Sequence, residues 1–185
     1  MVSKLLREVT LKTGEKLILR TPVENDAEAL IEYCNQVGGE SDNLLYGKNE
    51  FHMTVEQERE FIKKQYNNPN SLMVVGFINN SVASIAQISC LPRKRIAHNC
   101  EIAISVKKEH WNKGVGSAVM EELIRFAKNH ETIRNVHLGV KAGNSKAISL
   151  YEKFGFVKVG VHKDYINVNG VYDDLILMEL NLNKY

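Results

Sequence analysis

The chain has 185 residues, 24 Lys and Arg against 22 Asp and Glu, and a formal net charge of +2. That length suits one domain with a proper core, and the near-balance of charge argues against nucleic acid as the main partner. No segment approaches the run of about 20 apolar residues that a membrane span needs. Residues 1–7 show neither an apolar h-region nor a cleavage site, so a cytoplasmic protein without a signal peptide is expected.

In chain order, residues 15–20 alternate as a first strand and stop at Thr21-Pro22. Asn25 with Glu28 has the pattern of a capping box, opening a helix to about residue 36 before Gly38 and Gly39 end it. The polar stretch 40–53 reads as a loop. Thr54 with Gln57 is a second capping box, and Val55, Phe61, Ile62 and Tyr66 give the helix behind it an apolar stripe. Residues 72–78 and 82–89 are strand-like and joined by Asn79-Asn80, which tolerate turn conformations. Residues 100–106 form a fourth strand. A helix over 115–129 follows, with Val115, Val119, Leu123, Phe126 and Ala127 on its buried side. Residues 136–140 are a fifth strand, and residues 141–144 a loop. A short helix then runs over 145–154 with Gly155 as its stop. Residues 157–165 and 171–182 close the chain as a hairpin across Asn169-Gly170. The order β-α-α-β-β-β-α-β-α-β-β describes one α/β domain with a mixed sheet, spanning residues 1–185 with its core at about 15–182.

The stretch His110-Trp111-Asn112-Lys113-Gly114-Val115-Gly116-Ser117 stands where the fourth strand gives way to a helix. Glycines at 114 and 116 leave backbone N–H groups unobstructed, and the positive end of the helix dipole adds attraction for an anion such as a phosphate. A dinucleotide fingerprint would need a third glycine, and a Walker loop would need Gly-Lys-Ser/Thr; neither is present. Two glycines alone leave both an anion cradle and a tight turn that binds nothing open.

A second segment, Asn144-Ser145-Lys146-Ala147-Ile148-Ser149-Leu150-Tyr151-Glu152-Lys153-Phe154-Gly155-Phe156, has the pattern Asn-x-x-Ala-x-x-Leu-Tyr-x-x-x-Gly-Phe. With the cradle upstream, it resembles the GNAT superfamily of acetyl-CoA-dependent N-acetyltransferases, among them the ribosomal-protein, polyamine and amino-acid acetyltransferases. Trp111 stands where that family usually has Arg or Gln. The resemblance covers roughly residues 15–182 and implies the GNAT fold, a mixed and mostly antiparallel sheet flanked by helices. It implies acetyl-CoA as cosubstrate; the histidines are scattered without ligand spacing, so no metal is expected. The pyrophosphate is expected on the amides of Lys113, Gly114, Val115, Gly116 and Ser117, beside Trp111 and Asn112. Pantetheine is expected along Ile104, Ser105, Val106 and Lys107, with Asn144, Lys146 and Tyr151 on its other side. Asn144 is also suited to cap the helix that follows it.

The resemblance further implies direct attack of an amine on the thioester, without an acyl-enzyme. Tyr151 matches the tyrosine that protonates the departing thiolate; the alternative is that it only packs beside Leu150 and Phe154. A primary amine is protonated at neutral pH and must lose a proton first. Glu101, on one strand face with Ala103 and Ser105, is the candidate base, its alternative being a solvated strand-end glutamate. Asp173 and Asp174, near Tyr165 and Tyr172, are candidates for binding a cationic substrate or are plain hairpin residues. His110 could approach the cradle but is expected at the surface. Arg93-Lys94-Arg95 is expected in a solvated loop, its alternative being to meet an acidic substrate or the 3′-phosphate of the coenzyme. The three cysteines, Cys34, Cys90 and Cys100, are expected as buried or incidental thiols in a reducing compartment. The acceptor is expected to be a small-molecule or peptide amine, with no nucleic-acid or membrane partner and a homodimer compatible with the family. A non-catalytic acyl-CoA-binding sensor on the same fold is the rival reading.

Overall fold

The computed structural model describes residues 1–183. Its elements are β1 (Leu5–Thr10), β2 (Lys16–Arg20), α1 (Ala27–Gly38), α2 (Val55–Tyr66), β3 (Ser71–Ile78), β4 (Ser81–Cys90), β5 (Asn99–Val106), α3 (Val115–Asn129), β6 (Asn135–Lys141), α4 (Ser145–Lys153), β7 (Val157–Val168) and β8 (Val171–Asn181). The predicted order is found with one strand added at its start. Residues 5–10, not expected as a strand, pair antiparallel with β2 around a turn in which Gly14 takes φ +85°. That strand is amphipathic only weakly, because it lies at the edge of the sheet and most of its side chains stay at least partly exposed.

The eight strands form one sheet in the order β1-β2-β3-β4-β5-β6-β8-β7. Every pairing is antiparallel except β5 with β6. Alternation sends successive side chains of β3 to opposite faces, and each face has its own helices. Met73, Val75 and Val82 pack with Leu30, Tyr33, Val37 and Ile62 of α1 and α2. Val74, Ala86, Ile88 and Ile102 pack with Val115, Val119, Leu123 and Ile124 of α3, and Tyr151 of α4 joins that layer. Of the residues expected on the buried side of α3, only Phe126 is half-buried rather than buried. Asn79 and Asn80 both adopt positive φ, 50° and 63°, which is how a two-residue link turns β3 into β4.

Entry into α1 differs from expectation. Asn25 and Glu28 do not make the capping box; a turn of 3-10 helix (Glu24–Asp26) leads into α1, and Asp26 accepts from the Val23 amide at 2.7 Å. Arg20 at the end of β2 grips the same carboxylate through both terminal nitrogens, at 2.8 and 2.7 Å, while lying over the Phe77 ring. A bidentate guanidinium outcompetes an asparagine cap because each charge-assisted bond is about twice as strong as a neutral one. The second capping box forms as predicted: the Thr54 hydroxyl accepts from the Gln57 amide and the Gln57 side chain accepts from the Thr54 amide.

Burial alone would raise the Asp26 carboxyl, but Arg20 and the Val23 amide outweigh it and hold the group below its ordinary value. A carboxyl depressed by folding stabilises the native state above its unfolded pKa, and that contribution is lost as pH falls through the folded value. Asp26→Asn should therefore cost about 1–2 kcal/mol in urea unfolding at neutral pH. The gap between mutant and wild type should shrink as the solution is acidified below the ordinary carboxylate range.

β5 pairs with β6 only through Asn99, Cys100 and Glu101, opposite Asn135, Val136 and His137. Beyond Glu101 the strand stays paired to β4, as far as Val106 against Ser84, but has left β6. A wedge opens there, and the backbone groups of β5 facing it have no strand partner.

Candidate active site

The wedge leads into a cavity of about 710 Å³. Its walls are the outer half of β5, the turn after it, the start of α4 and the loop between α1 and α2. Of the residues singled out in the sequence, Glu101, Ile104, Ser105, Val106, Trp111, Asn112, Gly114, Gly116, Ser117, Asn144, Lys146 and Tyr151 all line it. Lys107, Lys113 and Val115 do not. Val115 is 1% exposed and belongs to the core beneath α3. The Lys113 ammonium turns away to Glu15 at 3.1 Å, so at these positions only backbone amides remain available to a ligand.

The turn after β5 owes its shape to three residues. Asn112 and Gly114 take left-handed φ, 62° and 99°, and Gly114 is the residue from which α3 starts. Asparagine tolerates that region and glycine adopts it without strain. A Cβ on Gly114 would meet no heavy atom within 4 Å, so the chain itself leaves that space free. The tryptophan in place of the usual Arg or Gln has a structural role: its indole Nε1 donates to the Val106 carbonyl at 2.8 Å, pinning the turn to the end of β5. The Lys146 ammonium lies 5.9 Å from the Trp111 ring centroid, which brings a cation to the mouth of the cradle.

Across the wedge, Asn144 caps α4, accepting from the Ala147 amide at 3.3 Å. About two turns on, Tyr151 is 7% exposed, its ring packed 6.0 Å from that of Phe156. Burial pushes its hydroxyl up to about 12, so it remains a neutral O–H donor at any physiological pH. Glu101, which also lines the cavity, is exposed at the root of the wedge. Glu101 heads a row running across three neighbouring strands: it is level with His137 on β6, which is level with Glu179 on β8. The His137 ring holds Asn99 through Nε2 at 3.1 Å and lies 3.9 Å from the Glu179 carboxylate. Further along β5, the Tyr33 hydroxyl of α1 donates to Ser105 Oγ at 3.0 Å and braces the strand where it has left β6.

Further wall residues come from outside the two motifs: Ser41, Asn43, Leu44 and Leu45 from the irregular 40–53 loop, and Tyr165 from the closing hairpin. The loop is set against α1 because Gly38 has no side chain: a Cβ there would stand 2.4 Å from the Gly47 carbonyl oxygen. Glu40 fixes its near end by accepting from the Lys108 amide at 2.7 Å. His110, expected at the surface, is instead 8% exposed and lines the cavity, with Nδ1 buried and unpartnered. Burial lowers its pKa and keeps the ring neutral. Of the hairpin residues expected to meet a cation, Asp173 and Asp174 already face Lys141 at 3.8 Å and Lys163 at 2.6 Å, and only Tyr165 reaches the cavity. Arg93, Lys94 and Arg95 are exposed on the β4–β5 connection, away from the wedge.

A strand parting from its neighbour, a glycine turn at its end and a helix opposite also describe a known family. The family model described as Acetyltransferase (GNAT) domain matches residues 16–157. The chain belongs to the GNAT acetyltransferases. The L-amino acid N-acetyltransferase AaaT of Escherichia coli is 29% identical over 172 residues, covering 88% of this chain and 96% of that one. An N-alpha-acetyltransferase of Saccharolobus solfataricus is 33% identical over 96 residues, 50% of this chain and 55% of that one. Among solved structures, a GNAT-family acetyltransferase from Streptococcus pneumoniae superposes with a TM-score of 0.86 at 31% identity, covering 89% of this chain and 99% of its own. The wedge between β5 and β6 thus lies in a GNAT fold, and the chain is an N-acetyltransferase by family.

Proposed function

We propose that this GNAT protein transfers the acetyl group of acetyl-CoA directly to a primary amine carried by a small molecule or a peptide N-terminus. The observation that carries the reading is one cavity bounded by an unpaired strand edge, an open glycine turn at a helix N-terminus, a neutral buried tyrosine and an exposed carboxylate. The space left free at Gly114 fits a pyrophosphate, which would rest on the amides of residues 113–117 at the positive end of α3. The free edge of Ile104, Ser105 and Val106 suits the amide groups of a pantetheine arm, with Asn144 and Lys146 on the far side. When bound, acetyl-CoA supplies the activated acetyl group and a thiol leaving group.

The chain's own residues then manage two protons. Glu101 accepts one from the incoming ammonium, so that the nitrogen lone pair is free to attack. Tyr151 presents its hydroxyl to the sulfur and stabilises the charge that grows there. The acceptor enters past Leu45 and Tyr165, residues of the loop and hairpin that make the outer wall. One named relative is an L-amino acid N-acetyltransferase and the other an N-alpha-acetyltransferase, and these names support an acceptor of either class.

Two measurements test this reading. Thiol release from acetyl-CoA, run against amino acids, polyamines, aminoglycosides and N-terminal peptides, should respond to one amine class. Binding of acetyl-CoA without release from any amine would favour a sensor instead, and no binding would refute the assignment. Glu101→Gln should lower kcat/KM about 100-fold where the amine is protonated and recover much of the loss at alkaline pH. A pH–rate profile identical to wild type would remove Glu101 as the base.

A further inference from the structure

Cys90 is the last residue of β4 and Cys100 the second of β5, and the register sets them directly opposite each other. The Cys90 amide donates to Asn70 on the β3 side, while the next residue, Leu91, donates across to Asn99. The cysteines therefore form a non-hydrogen-bonded pair, the position at which antiparallel strands bring their side chains closest, with Cα atoms about 4.5 Å apart. That separation lies inside the range of about 4.4–6.8 Å spanned by disulfides. Both side chains point into the layer under α3, and their sulfurs are 2.6 Å apart as free thiols. Cys34 is remote from both, packed in the layer on the opposite face of the sheet.

The two thiols differ in access. Cys100 is fully buried, whereas Cys90 is half-buried beside the exposed connection that carries Arg93, Lys94 and Arg95. We propose that Cys90 and Cys100 are a reversible disulfide site, oxidised by low-molecular-weight disulfides, which enter at Cys90.

The exchange runs in two steps. The Cys90 thiolate attacks one sulfur of the small disulfide, whose S–S bond breaks and releases one small thiol. Cys100 then gives up its proton and attacks the Cys90 sulfur, expelling the second small thiol. Two protein thiols are oxidised by two electrons, the small disulfide is reduced to two thiols, and the two protein protons end on those products. Burial raises the Cys100 thiol and keeps it from reacting first. Its fixed place against Cys90 makes the second step intramolecular, so it outruns exchange with solution. The bond joins β4 to β5 one residue before Glu101, where β5 is about to leave β6.

The test is incubation of the purified full chain with oxidised glutathione, followed by acid quenching, denaturation and thiol counting. Free thiols should fall from the three of the reduced chain to one, and dithiothreitol should restore them. Trypsin cuts at Arg93, Lys94 and Arg95 between the two cysteines, so a non-reduced digest should contain two peptides joined through Cys90 and Cys100. The thermal midpoint of the oxidised protein should rise by a few degrees. Cys100→Ala should trap glutathione on Cys90, Cys90→Ala should leave Cys100 unreacted, and Cys34→Ala should change none of this. Three thiols persisting in the wild type, a stable glutathione adduct on Cys90, or a linkage to Cys34 would each overturn the proposal.

Discussion

Tyr151→Phe is expected to lower kcat about 100-fold while leaving coenzyme affinity within about threefold. The hydroxyl is the only group removed, and no protein group among the described residues hydrogen-bonds it, so the fold loses nothing that it was holding. Burial puts this phenol at about 12. Passing its proton completely to a thiolate of pKa about 8.5 would be uphill by roughly 5 kcal/mol. The side chain therefore acts best as a hydrogen-bond donor that strengthens as negative charge gathers on sulfur, in a site where water is largely excluded. This accounts for why kcat and not binding should suffer: a neutral thioester sulfur is a poor acceptor, and the bond becomes strong only as the reaction proceeds. Steady-state kinetics together with calorimetric titration of coenzyme A separate the two effects. Wild-type turnover in the phenylalanine variant would leave Tyr151 as a packing residue against Phe156.

Gly114→Val is expected to weaken coenzyme A binding about 10- to 100-fold. Two costs act together. The backbone at 114 sits at φ +99°, where a side chain with a Cβ costs roughly 1–2 kcal/mol and a β-branched one more. In addition, the valine side chain would project into space that the chain leaves free. Gly116→Val is a useful contrast, because its Cβ would stand 3.2 Å from a Leu150 methyl and press α3 against α4. Both variants should lower the thermal midpoint, Gly114→Val through backbone strain and Gly116→Val through the contact with Leu150, so affinity has to be compared at a temperature where both are folded. Calorimetric titration of both variants with coenzyme A decides the matter, and unchanged affinity in Gly114→Val would remove the cradle from the reading.

The cysteines show where reading along the chain stops. An odd number without metal or CxxC spacing suggests incidental thiols, yet two of the three face each other across one ladder rung. Their partnership depends on the register of β4 against β5, and the intervening connection is too long to specify that register. His110, expected at the surface with the cradle as its alternative, turns inward for a related reason: a polar residue just after Lys107 and Lys108 looks exposed until the turn folds its ring into the cavity. β1 escaped notice because an edge strand buries little and so keeps a weak alternation. Asp26 displaced Asn25 and Glu28 at the start of α1 because Arg20, six residues earlier but on another element, takes hold of it.

What could be read from the chain alone is what local physics decides. Strand alternation, the stripe of α3 and that of α2 except Tyr66, which stays 48% exposed, the Thr54–Gln57 cap, the Asn79-Asn80 turn and the glycine at 114 all depend on residues within a few positions of one another. The two motifs, in the right order, were enough to bring out the family resemblance. The cavity itself is another matter. It exists because β5 stops pairing with β6 after Glu101, which sets an unpaired strand edge opposite the start of α4. That parting of strands, the row from Glu101 through His137 to Glu179, and the loop held against Gly38 join residues that are far apart in sequence. Such contacts follow from strand order and register, and only tertiary packing chooses those.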